Sequence, residues 1–307
     1  MKRTNPLVSI LVTNYNNAAY IVESLDSAFR QTYKNTEIVV VDDQSTDDSV
    51  ELVNKFISQH PEKPIVLFVS PENKGCPASK RKSVELCQGD YFVFLDSDDV
   101  LTDNAVEKLM EVMMEHEGKF SIVYSNLYEC DERLVPVSLS FCSGPIPDGQ
   151  SNLNSKGGHV TFLTLCSKKC YDETVGFNEN AGLAEDQDFY FKMEEVAPVY
   201  YVDVPLYYYR KHDHNISYNV NRTVENLYWL MKAKTEAYYR RKKKHMNIPN
   251  ITKRELFVLR LEYYIHKTDS CRREHQFWVG NFMKVIFYTP FSIRKGLRGM
   301  KRILTVH

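Results

Sequence analysis

The chain has no apolar run of the roughly 18–20 residues that a membrane-spanning helix needs. The longest candidate, Phe277 to Phe291, is broken by Asn281, Lys284 and Pro290. No leader peptide precedes the first β-rich run, which predicts a cytoplasmic protein, free or peripheral at the inner face of the cell membrane. The cysteines offer no framework. All seven are scattered, none forms a CxxC pair, and Cys166 and Cys170 lack a second ligand pair nearby, which argues for free thiols in a reducing compartment. There is no GxGxxG and no GxxxxGK[ST], so neither a Rossmann dinucleotide site nor a P-loop is supported. Internal repeats and low-complexity tracts are missing too. A net charge of −1 leaves almost no charge of one sign overall, yet it hides a split. Residues 211–307 carry 21 Lys and Arg against 7 Asp and Glu, whereas residues 1–210 carry 18 against 33, so the C-terminal part is suited to an anionic partner.

Hydrophobic residues make up 43% of the chain, enough for a substantial core. In the first half, short apolar runs alternate with helix-period segments. Val8–Thr13, Glu37–Asp42, Ile65–Ser70, Tyr91–Leu95 and Ser121–Tyr128 read as strands. Ala18–Gln31, Asp48–Gln59, Pro77–Cys87 and Asp103–His116 read as helices between them. Strands apolar on both faces and separated by helices predict an α/β fold with a mostly parallel central sheet, covered on both sides. From Glu129 to Gly158, prolines and glycines predict a mobile loop region over the sheet edge. Strands over Val160–Cys166, Val199–Val202 and Leu206–Arg210 follow, with helices beginning near Ser167 and around Glu185. From about Arg222 the chain reads as helices rich in Tyr, Leu, Lys and Arg. The predicted division is a nucleotide-binding catalytic domain over 1–217 and a basic, aromatic-rich helical extension over 218–307.

Ligands of parallel sheets sit beyond the C-terminal strand ends, and the polar clusters fall there. Thr13, Asn14 and Tyr15 follow the first strand, Asp42 and Asp43 the second, and Asp96, Asp98 and Asp99 the fourth. Crowded carboxylates repel one another unless a cation or donor groups compensate, and hard divalent cations prefer such oxygens. An acidic turn that only caps the next helix is the plainer alternative, a role assigned to Asp103. Asp42 and Asp43, followed by Gln44-Ser45-Thr46-Asp47, fit a plain turn equally well. Glu185 and Asp186 at a helix start suit either a catalytic carboxylate or charges favoured by the helix dipole, and Asp188 supports the helix start. His159, Tyr207 to Tyr209, His214 and Trp229 are weaker candidates for a stacking or polar contact.

These segments resemble the family 2 glycosyltransferases of GT-A fold. The resemblance rests on residues 8–49 (VSILVTNYNN to VVVDDQSTDDS), 73–99 (NKGCPASKRK to FLDSDD), 182–193 (GLAEDQDFYFKM) and 207–217 (YYYRKHDHNIS). It implies inverting transfer of a sugar from a nucleoside diphosphate donor, UDP by family frequency, with Mg²⁺ or Mn²⁺. Thr13, Asn14 and Tyr15 would line the nucleotide pocket and Asp43 would contact the base. Lys74 and Arg81 would lie near the base and diphosphate, and Asp96 near the ribose or donor sugar. Asp98 would hold the metal, with Asp96 and His212 as further candidates. Asp186 would be the base, with Glu185 positioning the acceptor. An Asn usually follows the Arg matched by Arg81, but Lys82 stands here, which leaves the local diphosphate contacts open. The acceptor expected is a glycan or lipid-linked glycan in cell-surface polysaccharide synthesis. Transfer to polyprenyl phosphate and a non-catalytic membrane-binding scaffold are the alternatives. The basic C-terminal helices are expected to meet an anionic membrane surface. Nucleic acid is not an expected partner, because Arg240 to Lys244 alone form no recognisable binding module.

Overall fold

A computed structural model of the chain describes residues 5–213, 215, 223–273 and 279–305. Among these, the elements of the first part are β1 (Val8–Asn14), α1 (Ile21–Phe29), β2 (Thr36–Asp42), α2 (Ser49–Gln59), β3 (Ile65–Val69), α3 (Cys76–Leu86), β4 (Tyr91–Asp96), β5 (Val100–Leu101) and α4 (Ala105–Glu115). They continue with β6 (Ile122–Cys130), β7 (Pro136–Leu139), β8 (Thr164–Ser167), α5 (Lys168–Asp172), α6 (Glu185–Glu194) and β9 (Val199–Arg210). The nine strands form one sheet in the order β3-β2-β1-β4-β8-β6-β9-β5, with β7 paired to β6. Strands β3, β2, β1 and β4 run parallel, as do β6 and β9, while β8, β5 and β7 join antiparallel.

The period-2 alternation of the strands builds two cores. Val8, Ile10, Val12, Ile38, Val40, Val93 and Leu95 point to one face, where Ile21 and Leu25 of α1, Val53 and Phe56 of α2 and Leu109 and Met113 of α4 cover them. Leu11, Val39, Val41, Phe92 and Phe94 point to the other, against Val84 of α3, Tyr171 of α5, Phe177, and Phe189 and Met193 of α6. Full burial of each Val, Ile or Leu is worth about 1.5–3 kcal/mol, so strands apolar on both faces hold both helix layers.

Several sequence expectations change. The segment expected to be a loop over Glu129–Gly158 contains β7, an exposed edge strand whose apolar residues meet no core. The strand expected over Val160–Cys166 is confined to Thr164–Ser167. The two strands expected over Val199–Val202 and Leu206–Arg210 are one, β9, with register shifts against β6 that absorb the stretch around Pro205. Asp103 does not cap α4. Asn104 holds that position without a side-chain bond, and Asp103 pairs with Arg30 at 3.5 Å.

The chain divides into two compact units. One takes in the described residues up to Asn180 and from Phe189 to Asp213, and so holds the whole sheet. The other takes in Ala181–Asp188 and the described residues from Asn215 onward. Its helices are α7 (Thr223–Lys243), α8 (Lys253–Arg273), α9 (Val279–Tyr288) and α10 (Ile293–Thr305). Leu261 and Ile265 of α8, Val285 of α9 and Ile303 of α10 form its core. Gly182, at φ 55°, lies directly against the Trp229 indole, where any Cβ would collide. That contact gives Trp229 a packing role against the start of the 3₁₀ turn. Phe257 and Phe291 stack at 4.2 Å, and Asp269 accepts from Arg302 at 2.5 Å. His214, Phe277 and Trp278 lie outside the described residues. Among those described, no helix is long and apolar enough to cross a membrane.

Candidate active site at the ends of the parallel strands

Parallel register brings the C-terminal ends of β1, β2 and β4 level. Thr13 stands opposite Val41 on one side and Asp96 on the other, and Asn14 stands opposite Asp42. Asn14 Nδ2 donates to Asp42 Oδ2 at 2.7 Å and to Ser45 Oγ at 3.2 Å, which leaves the buried Asn14 Oδ1 with no hydrogen-bond partner among the described residues. Asp42 also accepts from the Ser45 amide and hydroxyl, so it shapes the β2 turn. Asp43 does the same for the β3–α3 loop. Its two oxygens accept from the Lys74 amide at 3.0 Å and the Gly75 amide at 2.7 Å. Gly75 needs its positive φ of 85° to turn the chain into α3, whose first turn carries Pro77. An ionised carboxylate has lone pairs beyond two bonds, so Asp43 keeps capacity for a ligand. Tyr15, just past β1, is exposed.

The acidic cluster after β4 resolves into carboxylates with different surroundings. The Asp99 amide donates to the Asp96 carbonyl at 3.1 Å, closing a tight turn. Antiparallel pairing of β5 with β9 sets Val100 opposite Tyr208, which carries Arg210 back alongside Asp98. Asp99 is buried and accepts from Tyr207 Oη at 2.8 Å and the Arg210 amide at 2.8 Å. Burial, reinforced by the charges of Asp98 and Asp96, pushes its carboxyl well above the usual range. Tyr207 Oη in turn accepts from the Asp96 amide at 3.2 Å. Asp96 and Asp98 are half-buried, and His212 Nε2 lies 3.0 Å from Asp98 Oδ2. The His212 ring lies 4.9 Å from the Tyr20 ring, which also has the Arg210 guanidinium 4.7 Å from its centre and donates its hydroxyl to Glu132 at 3.0 Å.

A carboxylate and an imidazole 3.0 Å apart match two neighbouring donors of one ion, since donors about 2.1 Å from a metal in octahedral geometry are spaced about 3 Å. Among the described residues, no three His, Cys, Asp or Glu side chains cluster tightly enough to hold a metal by themselves. Asp98 and His212 could supply two ligands to a divalent cation, whose remaining ligands would have to come from water or phosphate oxygens.

The other candidates are spread more widely. The Lys74 ammonium pairs with Glu72 at 3.0 Å on the surface, so its loop role runs through its amide. Arg81 donates to the Phe177 carbonyl at 3.2 Å and pairs with Glu85 and Glu179. Its neighbour Lys80 is the buried cation of α3, with its ammonium 5.9 Å from the Phe94 ring and 5.1 Å from that of Phe162. Glu185 and Asp186 open α6 after a short 3₁₀ turn, Gly182–Ala184, and belong to the second unit. Asp186 Oδ1 accepts from the Gln187 amide at 2.7 Å. Arg210 was not singled out from sequence, and Tyr207 only as a weaker candidate for a stacking or polar contact, yet the two hold the acidic turn.

Residues 9–167, more than half of the chain, match the glycosyl transferase family 2 profile. The chain belongs to that family. Chondroitin synthase of Escherichia coli is 32% identical over 212 residues, 69% of this chain and 30% of that protein. An uncharacterised glycosyltransferase of Rickettsia felis is 30% identical over 230 residues, 73% of this chain and 38% of that protein. The chain thus spans well under half the length of both relatives. In fold, residues 1–349 of Staphylococcus aureus TarS in complex with UDP-GlcNAc align over 91% of this chain and 80% of that one, with TM-score 0.64 and 18% identity. The Pyrobaculum calidifontis mannosyltransferase PcManGT, in complex with GDP-Man and Mn²⁺, aligns over 99% of this chain and 88% of that one, with TM-score 0.60 and 14% identity. These neighbours agree with the GT-A-like α/β fold expected from sequence. The family 2 match contains Thr13, Asn14, Tyr15, Asp43, Lys74, Arg81, Asp96 and Asp98 and ends before Glu185, Asp186 and His212.

Proposed function

We propose that the chain is an inverting, metal-dependent glycosyltransferase that moves a sugar from a UDP-sugar to a hydroxyl of a glycan or lipid-linked glycan, in cell-surface polysaccharide synthesis. The observation that carries this reading is the Asp98–His212 pair beside Asp96, at the C-terminal end of a parallel strand. Anionic donors of nucleotide type bind beyond such strand ends.

In this reading Thr13, Asn14, Tyr15 and Asp43 receive the nucleoside, Lys74 and Arg81 lie toward base and diphosphate, and Asp96 meets the ribose or donor sugar. Asp98 and His212 hold Mg²⁺ or Mn²⁺, which when bound supplies positive charge against the diphosphate. Asp186 takes the proton of the acceptor hydroxyl as its oxygen bonds to the anomeric carbon, and Glu185 positions the acceptor. The bond to the diphosphate breaks on the opposite face, its electron pair leaving with the phosphate oxygen, so configuration inverts. UDP is favoured by TarS having been solved with UDP and UDP-GlcNAc, and GDP is the competing nucleotide because PcManGT was solved with GDP-Man. The basic C-terminal segment meets an anionic membrane surface, where a lipid-linked acceptor is held.

The test is release of nucleoside diphosphate from a panel of UDP-, GDP- and dTDP-sugars with Mn²⁺, with and without oligosaccharide acceptors. Turnover of one UDP-sugar above the spontaneous rate is expected. No turnover of any donor with any acceptor overturns the reading.

A further inference from the structure

Most of the C-terminal aromatics that suggested a membrane surface from sequence are engaged within the helical unit. Tyr238 and Tyr263 are buried, and Phe257, Tyr264, Tyr288 and Phe291 pack on one another. The exposed apolar side chains are different ones. Val279, Met283, Ile286 and Phe287 of α9 and Ile293 and Leu297 of α10 are between 44% and 65% exposed. Their spacings on α9 are four, three and one residues, and on α10 four, so each set forms a single stripe of its helix. Single exposed apolar residues are ordinary, but a stripe on each of two consecutive helices marks surface suited to an apolar partner.

Charge says which partner that is. Between Val279 and Thr305 there are six Lys and Arg and no Asp or Glu. At 100° per residue, Arg294, Arg298 and Lys301 fall on one flank of the α10 stripe, while Gly296, Gly299 and Ile303 turn into the unit. Lys295 and Arg302 pair with Glu262 and Asp269 of α8, which secures α10 to the unit. Arg294 and Arg298 thus border an apolar strip with no anionic side chain in the same stretch. A helix with that cross-section lies in the headgroup layer, apolar side inward and cations against lipid phosphates.

We propose that these apolar faces of α9 and α10 are the membrane-docking surface, inserting Met283, Ile286, Phe287, Ile293 and Leu297 below the phosphates of an anionic bilayer. This rests on the reading that the C-terminal segment meets an anionic membrane, and it names the face that does so.

The full chain is sedimented with vesicles of phosphatidylcholine containing from none to about 40% phosphatidylglycerol, so that the negative surface potential rises with the anionic fraction. Binding that rises with the anionic fraction and falls with salt is expected. Phe287→Ser with Leu297→Ser, by removing inserted apolar area, and separately Arg294→Gln with Arg298→Gln, by removing two cations from the lipid surface, should each reduce partitioning at least about tenfold. Phe141→Ser, which removes a 90% exposed apolar side chain from the sheet unit, should leave it unchanged. Unaltered thermal unfolding of each variant shows that the fold is kept. Absence of wild-type binding overturns the membrane reading and this face together, whereas wild-type binding that both double variants retain overturns the face alone. A dimer dissolved by Phe287→Ser with Leu297→Ser, or capture of RNA in place of vesicles, assigns the surface to another partner and overturns it as well. Donor turnover is read separately, so a failure of the catalytic reading is distinguishable from a failure here.

Discussion

Arg210 Nε donates to the main-chain carbonyl of Asp98 at 2.7 Å, while Asp98 Oδ2 lies 3.0 Å from His212 Nε2, two residues further along the same strand exit. The end of β9 thus grips Asp98 by its backbone and meets its side chain. The other guanidinium nitrogens of Arg210 reach the Glu132 carbonyl and the Glu23 carboxylate, both at 2.6 Å. A buried arginine with three separate acceptors fixes the acidic turn in one place.

Arg210→Lys keeps the charge but replaces a three-armed fork with a single ammonium. Two of three hydrogen bonds are lost from a buried position. A loss of about 2 kcal/mol in urea unfolding is expected, since bonds to charged groups carry about 1.5–3 kcal/mol each and Glu23 is largely exposed. The Mn²⁺ concentration for half-maximal turnover should rise at least about tenfold. A variant with the wild-type Mn²⁺ dependence would show that the turn does not need this clamp.

Tyr207→Phe removes one hydroxyl that serves two ends of the acidic turn, the Asp99 carboxylate and the Asp96 amide. Both groups are then short of a partner in a dry site. Destabilisation of about 1–3 kcal/mol is expected, the usual cost of a buried unsatisfied polar group. Tyr208→Phe is the control, because Tyr208 stacks on Tyr128 at 5.3 Å and its neighbour alone carries the buried bonds. Equal unfolding midpoints for the two variants would refute the bridging role of Tyr207.

The parallel half of the sheet was legible because β1, β2 and β4 are apolar on both faces, a pattern few other structures require. The acidic strand ends were legible for the same reason, as three carboxylates in four residues need an explanation. Which carboxylate does what was not. Asp96, Asp98 and Asp99 look alike in sequence, and only burial separates the buried Asp99 from the accessible Asp98. Arg210 escaped notice because its meaning lies in Glu23, 187 positions away, and an arginine ending a strand ordinarily faces water. Strand β7 was hidden by the opposite fault. It buries nothing, so no alternation marks it, and Pro136 at its start reads as a turn. On α3, the hydrophobic period could not say which of the consecutive Lys80, Arg81 and Lys82 turns inward.

Asp186→Asn keeps the shape of the side chain and removes its capacity to take a proton. Sugar transfer should fall by about 10²–10⁴-fold, the range for losing a positioned general base. Oδ1 still accepts from the Gln187 amide, which keeps that bond at the start of α6. Donor affinity, measured by calorimetry, should hold. Transfer near the wild-type rate would remove Asp186 from the mechanism, whereas lost donor affinity would place it against the donor instead.

Asp98→Ala tests the metal from both directions of charge. Without a cation, the carboxylates of Asp96 and Asp98 repel an incoming diphosphate. Two like charges 4 Å apart cost about 1 kcal/mol in water and about 4 kcal/mol at the effective dielectric of a protein surface. Were Mn²⁺ bound through Asp98 and His212, its positive charge would turn the same carboxylates from a cost into a gain for the diphosphate. Wild-type protein should therefore bind its nucleotide sugar at least about tenfold more tightly in Mn²⁺ than in EDTA. Asp98→Ala should lose that gain, binding equally in the two conditions. In EDTA the order should reverse, with Asp98→Ala binding at least as well as wild type because one repulsive charge is gone. His212→Ala should lose part of the Mn²⁺ gain and show no advantage in EDTA, since it removes a ligand without removing negative charge. Calorimetric titration of the three proteins in both conditions gives all six affinities. If wild type binds equally in Mn²⁺ and EDTA, or if Asp98→Ala keeps the Mn²⁺ gain, the cation is not held at Asp98.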